Sequence, residues 1–198
     1  MSIIDYATLK TAIADWSHRS DLTSYLDDFI RLAEQRMSGE LHVRELEATA
    51  SGSLSGITLA LPADFAQMRR FTITTTTKYS PEMIGADGLR SKYQSASGVP
   101  DYYALVGGNI EFDRTPDATY AYALDYYKKP TAITSANTTS TLLTAYPGIY
   151  LFACLVEVAW FTKSDADIGK YTQKYQEQVS LANRVGKPSG GPMRVVNG

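Results

Sequence analysis

The sequence predicts an α+β protein in which helical hairpins at the two ends of the chain flank a central antiparallel β unit. Apolar residues recur every three or four positions in residues 1–42 and again in residues 131–185, as in an α-helix. In residues 43–130, β-branched and aromatic residues alternate with polar ones instead, and Ser-Gly, Gly-Gly and Pro interrupt the alternation. We expect the two hairpins to pack together as a four-helix layer beside the β unit.

The N-terminal hairpin, residues 1–42, begins where Asp5 can cap a helix with Leu9, Ile13 and Trp16 on one stripe. A break over Ser17–Asp21 ends this helix. The second helix carries apolar residues from Leu22 to Leu41 at spacings of three and four, so it is strongly amphipathic. Its opposite face is predicted to be solvated and carries Asp27, Asp28, Arg31, Glu34, Gln35 and Glu40.

The β domain, residues 43–130, is predicted to hold roughly six strands and one short helix at Ala86–Tyr93. The strand candidates are "VRELEATASGS", "GITLALP", "MRRFTITTTTKY", the two runs around Gly107-Gly108, and "TYAYALDYYKKP". Pro62 and Asp64 in "ALPADF" lie where a strand should stop and turn.

The glycine pair Gly107-Gly108 raises the question of a phosphate-binding loop. Such a loop needs a glycine-rich turn followed by Lys and Ser or Thr at the start of a helix, whereas "NIEFD" follows here and alternates as a strand does. The pair therefore indicates a two-residue hairpin turn, because glycine accepts the positive φ angles of that turn. Asp113-Arg114 then marks the end of the hairpin.

The C-terminal hairpin, residues 131–185, follows a threonine-rich connection at Thr131–Thr144. Pro147 suits the first turn of a helix that is apolar nearly all round, and Ser164 or Asp165 can cap the last helix. Residues 186–198 are rich in Gly and Pro, and residues 178–198 contain Arg184, Lys187 and Arg194 but no acidic residue. We expect residues 186–198 to be a flexible basic arm.

Composition excludes several classes of protein. The net charge of −2 over 198 residues argues against a dedicated nucleic-acid binder, which usually has a basic domain. A single cysteine, Cys154, excludes an intramolecular disulfide, and its apolar neighbours predict a buried, inert thiol. The longest apolar run, Ile149 to Val156, is far shorter than the ~20 residues that span a bilayer, so no membrane association is expected.

Residues with the spacing of a catalytic or metal site are scarce. His18 lies in a helix break and His42 at a helix end, without the spacing of a zinc motif. "GSLSG" lacks the central serine of a nucleophile elbow, and "DADIG" lacks the later ligands of a calcium loop. Neighbouring Asp27 and Asp28 point about 100° apart on a helix. We expect no enzyme activity, no cofactor and no metal.

Aromatic residues are the more informative feature of the β domain. On a strand, Tyr120, Tyr122 and Tyr126 share one face, which could stack on sugars or bases, or pack on the opposite sheet or a neighbouring subunit. Arg69 and Arg70 flank a strand end and are candidate interface charges. The predicted subunit interface comprises Tyr120, Tyr122, Tyr126, Arg69 and Arg70.

Three segments in this order carry a resemblance to a known family. They are "LPADFAQMR", then "GVPDYYALVGGNIEF" continuing through "PDATYAYALDYYKKP", and then "LLTAYPGIYLFACLVEVA". The chain resembles the tailed-bacteriophage head–tail adaptor (connector) proteins, related to adaptors of the tail tubular protein A type. Each segment alone is weak, but their order and spacing across nearly the whole chain are fairly specific.

The resemblance implies a structural virion protein, made in the host cytoplasm and located at the head–tail interface. Such adaptors form a ring, typically dodecameric, that binds the portal protein after DNA packaging. They extend the channel through which DNA passes without sequence-specific binding, and they dock tail or nozzle proteins. In related adaptors the C-terminal arm reaches the portal. The residues here that match such an arm are Arg184, Lys187, Pro188, Pro192, Met193, Arg194, Val195 and Val196.

Two other functions remain open from the residues alone. A carbohydrate-binding β module of a virion or cell-surface protein would use the tyrosine stripe as its platform. An enzyme acting on DNA or cell wall would need convergent catalytic groups that the sequence does not display.

Overall fold

The computed structural model describes residues 2–186 and divides the chain into two compact units. The helical unit comprises residues 2–46 together with 129–186, and the β unit comprises Glu47–Lys128. The predicted arm, residues 186–198, lies outside the described residues except for Gly186, the last residue of a helix. The protein is a mixed α and β structure with six α-helices and two four-stranded sheets among its described residues.

Five of the helices belong to the helical unit and one to the β unit. They are α1 (Tyr6–Ser17), α2 (Leu26–Glu40), α3 (Ala86–Lys92, in the β unit), α4 (Thr141–Ala145), α5 (Pro147–Thr162) and α6 (Asp165–Gly186). Short 3₁₀ turns at Thr23–Tyr25 and Arg44–Leu46 precede α2 and follow it.

The helix starts follow from local chemistry. The Asp5 carboxylate accepts a hydrogen bond from the backbone N–H of Thr8 at 2.9 Å, and the Thr8 hydroxyl lies 3.0 Å from the N–H of Asp5, which forms a capping box. Pro147 occupies the first turn of α5 as predicted. The helix α4 was not predicted. Ser140 caps it by accepting from the N–H of Leu143 at 3.1 Å.

Helix α5 lies at the centre of the helical unit, where α1, α2 and α6 contact it. It is apolar on almost every side because it is surrounded in this way. Its buried residues are Ile149, Tyr150, Leu151, Ala153, Cys154, Leu155, Val156, Val158 and Ala159.

The prediction for Glu34 was wrong. Glu34 was placed on the solvated face of α2, but it is only 8% exposed. One carboxylate oxygen accepts hydrogen bonds from the N–H of Ile133 at 2.9 Å and the hydroxyl of Tyr150 at 3.2 Å. Burial raises the pKa of Glu34, partly offset by these two hydrogen bonds. The spacing along α2 could have indicated that Glu34 is buried, because Glu34 follows buried Ile30 by four residues and precedes buried Met37 by three.

The β unit contains two sheets rather than one set of roughly six antiparallel strands. The strands are β1 (Glu47–Leu54), β2 (Thr58–Ala60), β3 (Phe65–Thr74), β4 (Lys78–Tyr79), β5 (Glu82–Met83), β6 (Tyr102–Val106), β7 (Asn109–Phe112) and β8 (Tyr120–Lys128). Their orders are β1-β8-β3-β4, called sheet A here, and β2-β7-β6-β5, called sheet B. The strand candidate "MRRFTITTTTKY" is divided by a turn into β3 and β4, which pair with each other. The strand β5 was missed because two residues show no alternation, and it pairs with β6 in parallel.

Side chains from both sheets form one core. Phe71 of β3 contacts the rings of Tyr103 on β6 and Phe112 on β7, with centroids 5.5 and 5.6 Å apart. Leu124 and Ile110 are buried in the same cluster. The inward residues alternate along β1 and β8, so the outer face of sheet A carries mostly polar and small residues, together with the ring of Tyr127.

The hairpin prediction is confirmed. Val106 pairs with Asn109, so Gly107-Gly108 forms a two-residue turn, and Gly107 has a φ of 60°. Asp113, at the end of that hairpin, is fully buried. Its carboxylate accepts from the N–H groups of Asp101 and Tyr102 at 3.0 and 3.1 Å and from Nε of Arg114 at 3.0 Å. This carboxylate therefore fixes the entry of β6 against the end of β7.

Candidate assembly surfaces

The described residues do not group into a metal or nucleophile site. Among residues 2–186, no cluster of three or more His, Cys, Asp or Glu side chains could hold a metal ion. Cys154 is fully buried, and burial raises the pKa of its thiol, so the thiolate is disfavoured. No helix in the same range is both long and apolar enough to cross a membrane.

The tyrosine stripe of β8 faces the core of the β unit. Tyr126 is 6% exposed; its ring stacks on Phe65 with centroids 5.7 Å apart, and its hydroxyl donates to Asp64 at 2.9 Å. Tyr122 contacts Phe71 with centroids 5.8 Å apart, and Tyr120 packs against the same core cluster. Phe65 and Phe71 lie on β3 of the same sheet, and the core cluster that these rings join also contains residues of sheet B. The stripe is therefore not an open stacking platform.

Arg69 and Arg70 lie on β3 in sheet A, where the pairing of β3 with β8 shifts register between Met68 and Arg70. Arg69 forms an ion pair with Glu47 at 2.9 Å. Arg70 donates twice to Asp125, from Nε at 3.0 Å and from Nη2 at 2.7 Å. We call Glu47, Arg69, Arg70 and Asp125 the charged cluster.

The charged cluster is held in place but still accessible. The hydroxyl of Thr49 donates to Asp125 at 2.7 Å, and this hydrogen bond, followed by those from Arg70, lowers the pKa of Asp125. The Arg70 side chain remains 68% exposed, although its guanidinium is oriented. An oriented guanidinium of this kind is well suited to a second carboxylate on a partner surface.

Exposed aromatic rings form a second surface, which sequence reasoning missed. Tyr25 contacts Phe161 with ring centroids 4.9 Å apart, and Phe161 contacts the buried Phe29 at 5.4 Å. Trp160, the neighbour of Phe161 on α5, is 60% exposed. We call the contacting exposed rings Tyr25 and Phe161 the aromatic patch; Trp160, adjacent in sequence, points about 100° away around the helix. The sequence of α5 could have predicted this patch, because α5 is apolar nearly all round and the helical unit does not bury all the apolar side chains of its C-terminal turn.

A groove in the β unit lies between α3 and sheet B. Its volume is about 430 Å³, within the range of ligand-binding clefts. It is called the α3 groove here and is lined by Ile57, Thr58, Leu89, Arg90, Tyr93, Glu111 and Phe112. These residues are far apart in the sequence, so no motif indicated the groove.

Of the predicted arm residues, the structure describes only Arg184. It lies exposed in the last turn of α6, where a cation favours the negative end of the helix dipole. The remaining predicted arm residues lie outside the described part of the chain: Lys187, Pro188, Pro192, Met193, Arg194, Val195 and Val196.

Comparison with known proteins gives one family. The model of the family described as SU10 adaptor protein matches residues 4–196, which is nearly the whole chain. This match confirms the resemblance to phage head–tail adaptors. A search of curated proteins found no match.

Proposed function

The chain belongs to the SU10 adaptor family of phage head–tail adaptors, and from this premise we propose that its copies form a ring between portal and tail. In this proposal the ring binds the portal after DNA packaging, extends the DNA channel and offers a docking surface to tail or nozzle proteins. A dodecameric ring in the virion is the expected assembly. DNA passes through without sequence-specific contacts, in keeping with the net charge of −2.

The family match over residues 4–196 carries the proposal. The accessible surfaces of both units support it, because a ring subunit needs contacts with its neighbours. The aromatic patch offers rings of the kind that are enriched at interfaces, and the charged cluster offers oriented ionic groups. The inward packing of the tyrosine stripe argues against the carbohydrate-binding alternative, which needs those rings exposed.

We propose that the C-terminal segment attaches the ring to the portal. Deleting residues 186–198 is expected to leave a folded protein, because the buried residues of α6 all precede the cut, the last of them being Ala182. The shortened protein should lose attachment to purified portal rings. Attachment is measured by co-sedimentation and by negative-stain images of decorated portals.

A matched variant separates the basic charges from the length of the segment. Lys187→Gln combined with Arg194→Gln keeps the length and should weaken attachment at physiological salt. Full attachment of the deletion protein would refute the role of the C-terminal segment in portal binding. If that protein still formed rings on portals, the adaptor proposal itself would remain supported.

We propose that the charged cluster contributes to contacts between neighbouring subunits. Arg70→Glu is expected to lower monomer stability by only about 1–2 kcal/mol, because an exposed ion pair is worth about 0–1 kcal/mol and the new carboxylate repels Asp125 opposite it. Occupancy of portal rings should nevertheless fall about tenfold, since a carboxylate would replace the oriented guanidinium. Mass measurement of portal complexes gives the number of bound copies.

The control for this variant is Arg31→Glu on α2. Its side chain is similarly exposed, at 79%, and it also forms an ion pair, with Asp28 on the same helix. Equal occupancy of portal rings by the two variants would show that the charged cluster does not contribute to contacts between subunits.

A further inference from the structure

We propose that the α3 groove binds the C-terminal segment, residues 187–198, of a neighbouring copy of this chain, with Arg194 beside Glu111. The inference rests on the proposed function, because it assumes copies held side by side in a ring. It adds a second contact for the segment proposed to reach the portal.

The groove holds a carboxylate without a partner. Glu111 is half-buried on β7, and its carboxylate has no hydrogen bond or ion pair with any described residue. The positive charge of Arg90 in the same groove is countered by Asp87, 3.5 Å away on the same helix. The groove therefore attracts a cation at Glu111.

Apolar surface surrounds this carboxylate. Leu89 and Ile57 line the groove, and Tyr93 is 59% exposed with no ring contact to any described residue. An arginine side chain matches these groups, since its guanidinium pairs with a carboxylate while its stem and planar head pack on an aromatic ring.

A strand edge borders the groove. Thr58 belongs to both the groove lining and β2, and β2 is the edge strand of sheet B. On the inner side, β2 pairs with β7. The outer side of β2 has no neighbouring strand in the described sheet, so an extended segment can add there through backbone hydrogen bonds.

The C-terminal segment has the matching chemistry. It reads "KPSGGPMRVVNG", with no acidic residue and with Arg194 between Met193 and the β-branched Val195 and Val196. In an extended strand, Arg194 and Val196 project to the same side. That side presents a cation next to an apolar group, which complements Glu111 next to Leu89.

The segment is also long enough to reach another molecule. Fully extended, it spans about 40 Å from the end of α6. A contact given by one copy and received by the next is heterologous and repeats around a ring. Because one segment cannot occupy groove and portal together, the two sites compete for it.

Disulfide trapping in the full chain tests the contact. Glu111→Cys protein is mixed with Arg194→Cys protein, oxidised gently, and analysed by non-reducing gel electrophoresis; the native Cys154 is fully buried. We expect at least tenfold more cross-linked dimer than in a mixture of Glu82→Cys and Arg194→Cys, because exposed Glu82 lies on β5 at the opposite edge of sheet B. Equal yields would overturn the proposal.

A single-chain variant tests which copy donates the segment. Glu111→Cys with Arg194→Cys in one chain should give disulfide-linked multimers. A disulfide formed only within single chains would refute the assignment to a neighbouring copy.

Portal attachment separates this inference from the proposed function. Glu111→Gln should raise portal attachment about threefold or more, because it releases the segment from the competing site, whereas deletion of residues 186–198 should abolish attachment. A cross-link at Glu111 with unchanged attachment of the deletion protein would refute the portal role alone. Lost attachment on deletion without any cross-link would refute the groove contact alone.

Discussion

Asp113→Ala is expected to lower the free energy of unfolding of the β unit by about 2–4 kcal/mol. The Asp113 carboxylate is fully buried and accepts three hydrogen bonds, two of them from backbone N–H groups. Its removal leaves those two donors without a partner and leaves Arg114, whose side chain is 16% exposed, paired only with Asp101 at 2.7 Å. Both donors are partly buried beside this carboxylate, and a donor left without its acceptor costs more than the net gain from an ordinary hydrogen bond.

The positions of the two tryptophans allow the unfolding of the helical unit to be measured separately from that of the β unit. Both tryptophans, Trp16 and Trp160, belong to the helical unit, so their fluorescence reports that unit. Circular dichroism in the far ultraviolet also detects the strands. In urea, Asp113→Ala should shift the strand signal to lower denaturant while the tryptophan transition stays near its wild-type midpoint.

Asp87→Ala is the matched control in the same unit. The Asp87 side chain is 99% exposed and makes one ion pair within α3 at 3.5 Å, so the change should stay within about 0.5 kcal/mol. Equal stability of Asp113→Ala and Asp87→Ala proteins would show that the buried carboxylate does not hold the β6–β7 hairpin.

Hydrophobic periodicity predicted the helices and strands that are long enough to repeat the period several times. The period of α5 and the alternation of β8 are long enough to identify each element, and both were found where the pattern placed them. The helix α4 and the strand β5 were missed because five or two residues contain too little pattern, and β4 was merged with β3. The position of β5 depends on a neighbour 20 residues away, through the pairing of Glu82 with Tyr102.

The candidate surfaces were harder to predict than the elements. Alternation showed that Tyr120, Tyr122 and Tyr126 share a face, but it does not say whether that face meets the other sheet or a partner. The α3 groove brings Ile57, Leu89 and Glu111 together only through sheet pairing and helix packing. Such a site has no local sequence signal.

Glu34→Ala is expected to destabilise the helical unit by about 2–4 kcal/mol. The carboxylate of Glu34 joins α2 to the connection before α4, through the N–H of Ile133, and to α5, through the hydroxyl of Tyr150. Ile133 and Tyr150 are both buried, so the N–H of Ile133 loses its acceptor and the hydroxyl of Tyr150 is left with the more distant Oγ of Ser140, at 3.5 Å. Tryptophan fluorescence in urea measures the loss, and Asp28→Ala on the exposed face of α2 should leave the midpoint nearly unchanged.

Glu34→Gln isolates the charge from the hydrogen bonds. The glutamine carbonyl can still accept from the N–H of Ile133, while the group no longer ionises. Burial raises the pKa of Glu34 above its ordinary value of 4.5, so the folded state binds the Glu34 proton more tightly than the unfolded state. The tighter binding of this proton stabilises the folded state relative to the unfolded chain. That contribution is complete below about pH 4.5 and is lost as pH rises through the folded-state pKa.

The wild-type protein should therefore lose stability relative to Glu34→Gln as pH rises from 4.5 to 7. Carboxylates with a lowered pKa, such as Asp27 and Asp125, are common to both proteins and cancel in the difference. Urea titrations of both proteins at a series of pH values give that difference directly. A stability difference that does not change with pH would mean that Glu34 ionises as easily in the folded protein as in the unfolded chain. It would therefore contradict the raised pKa.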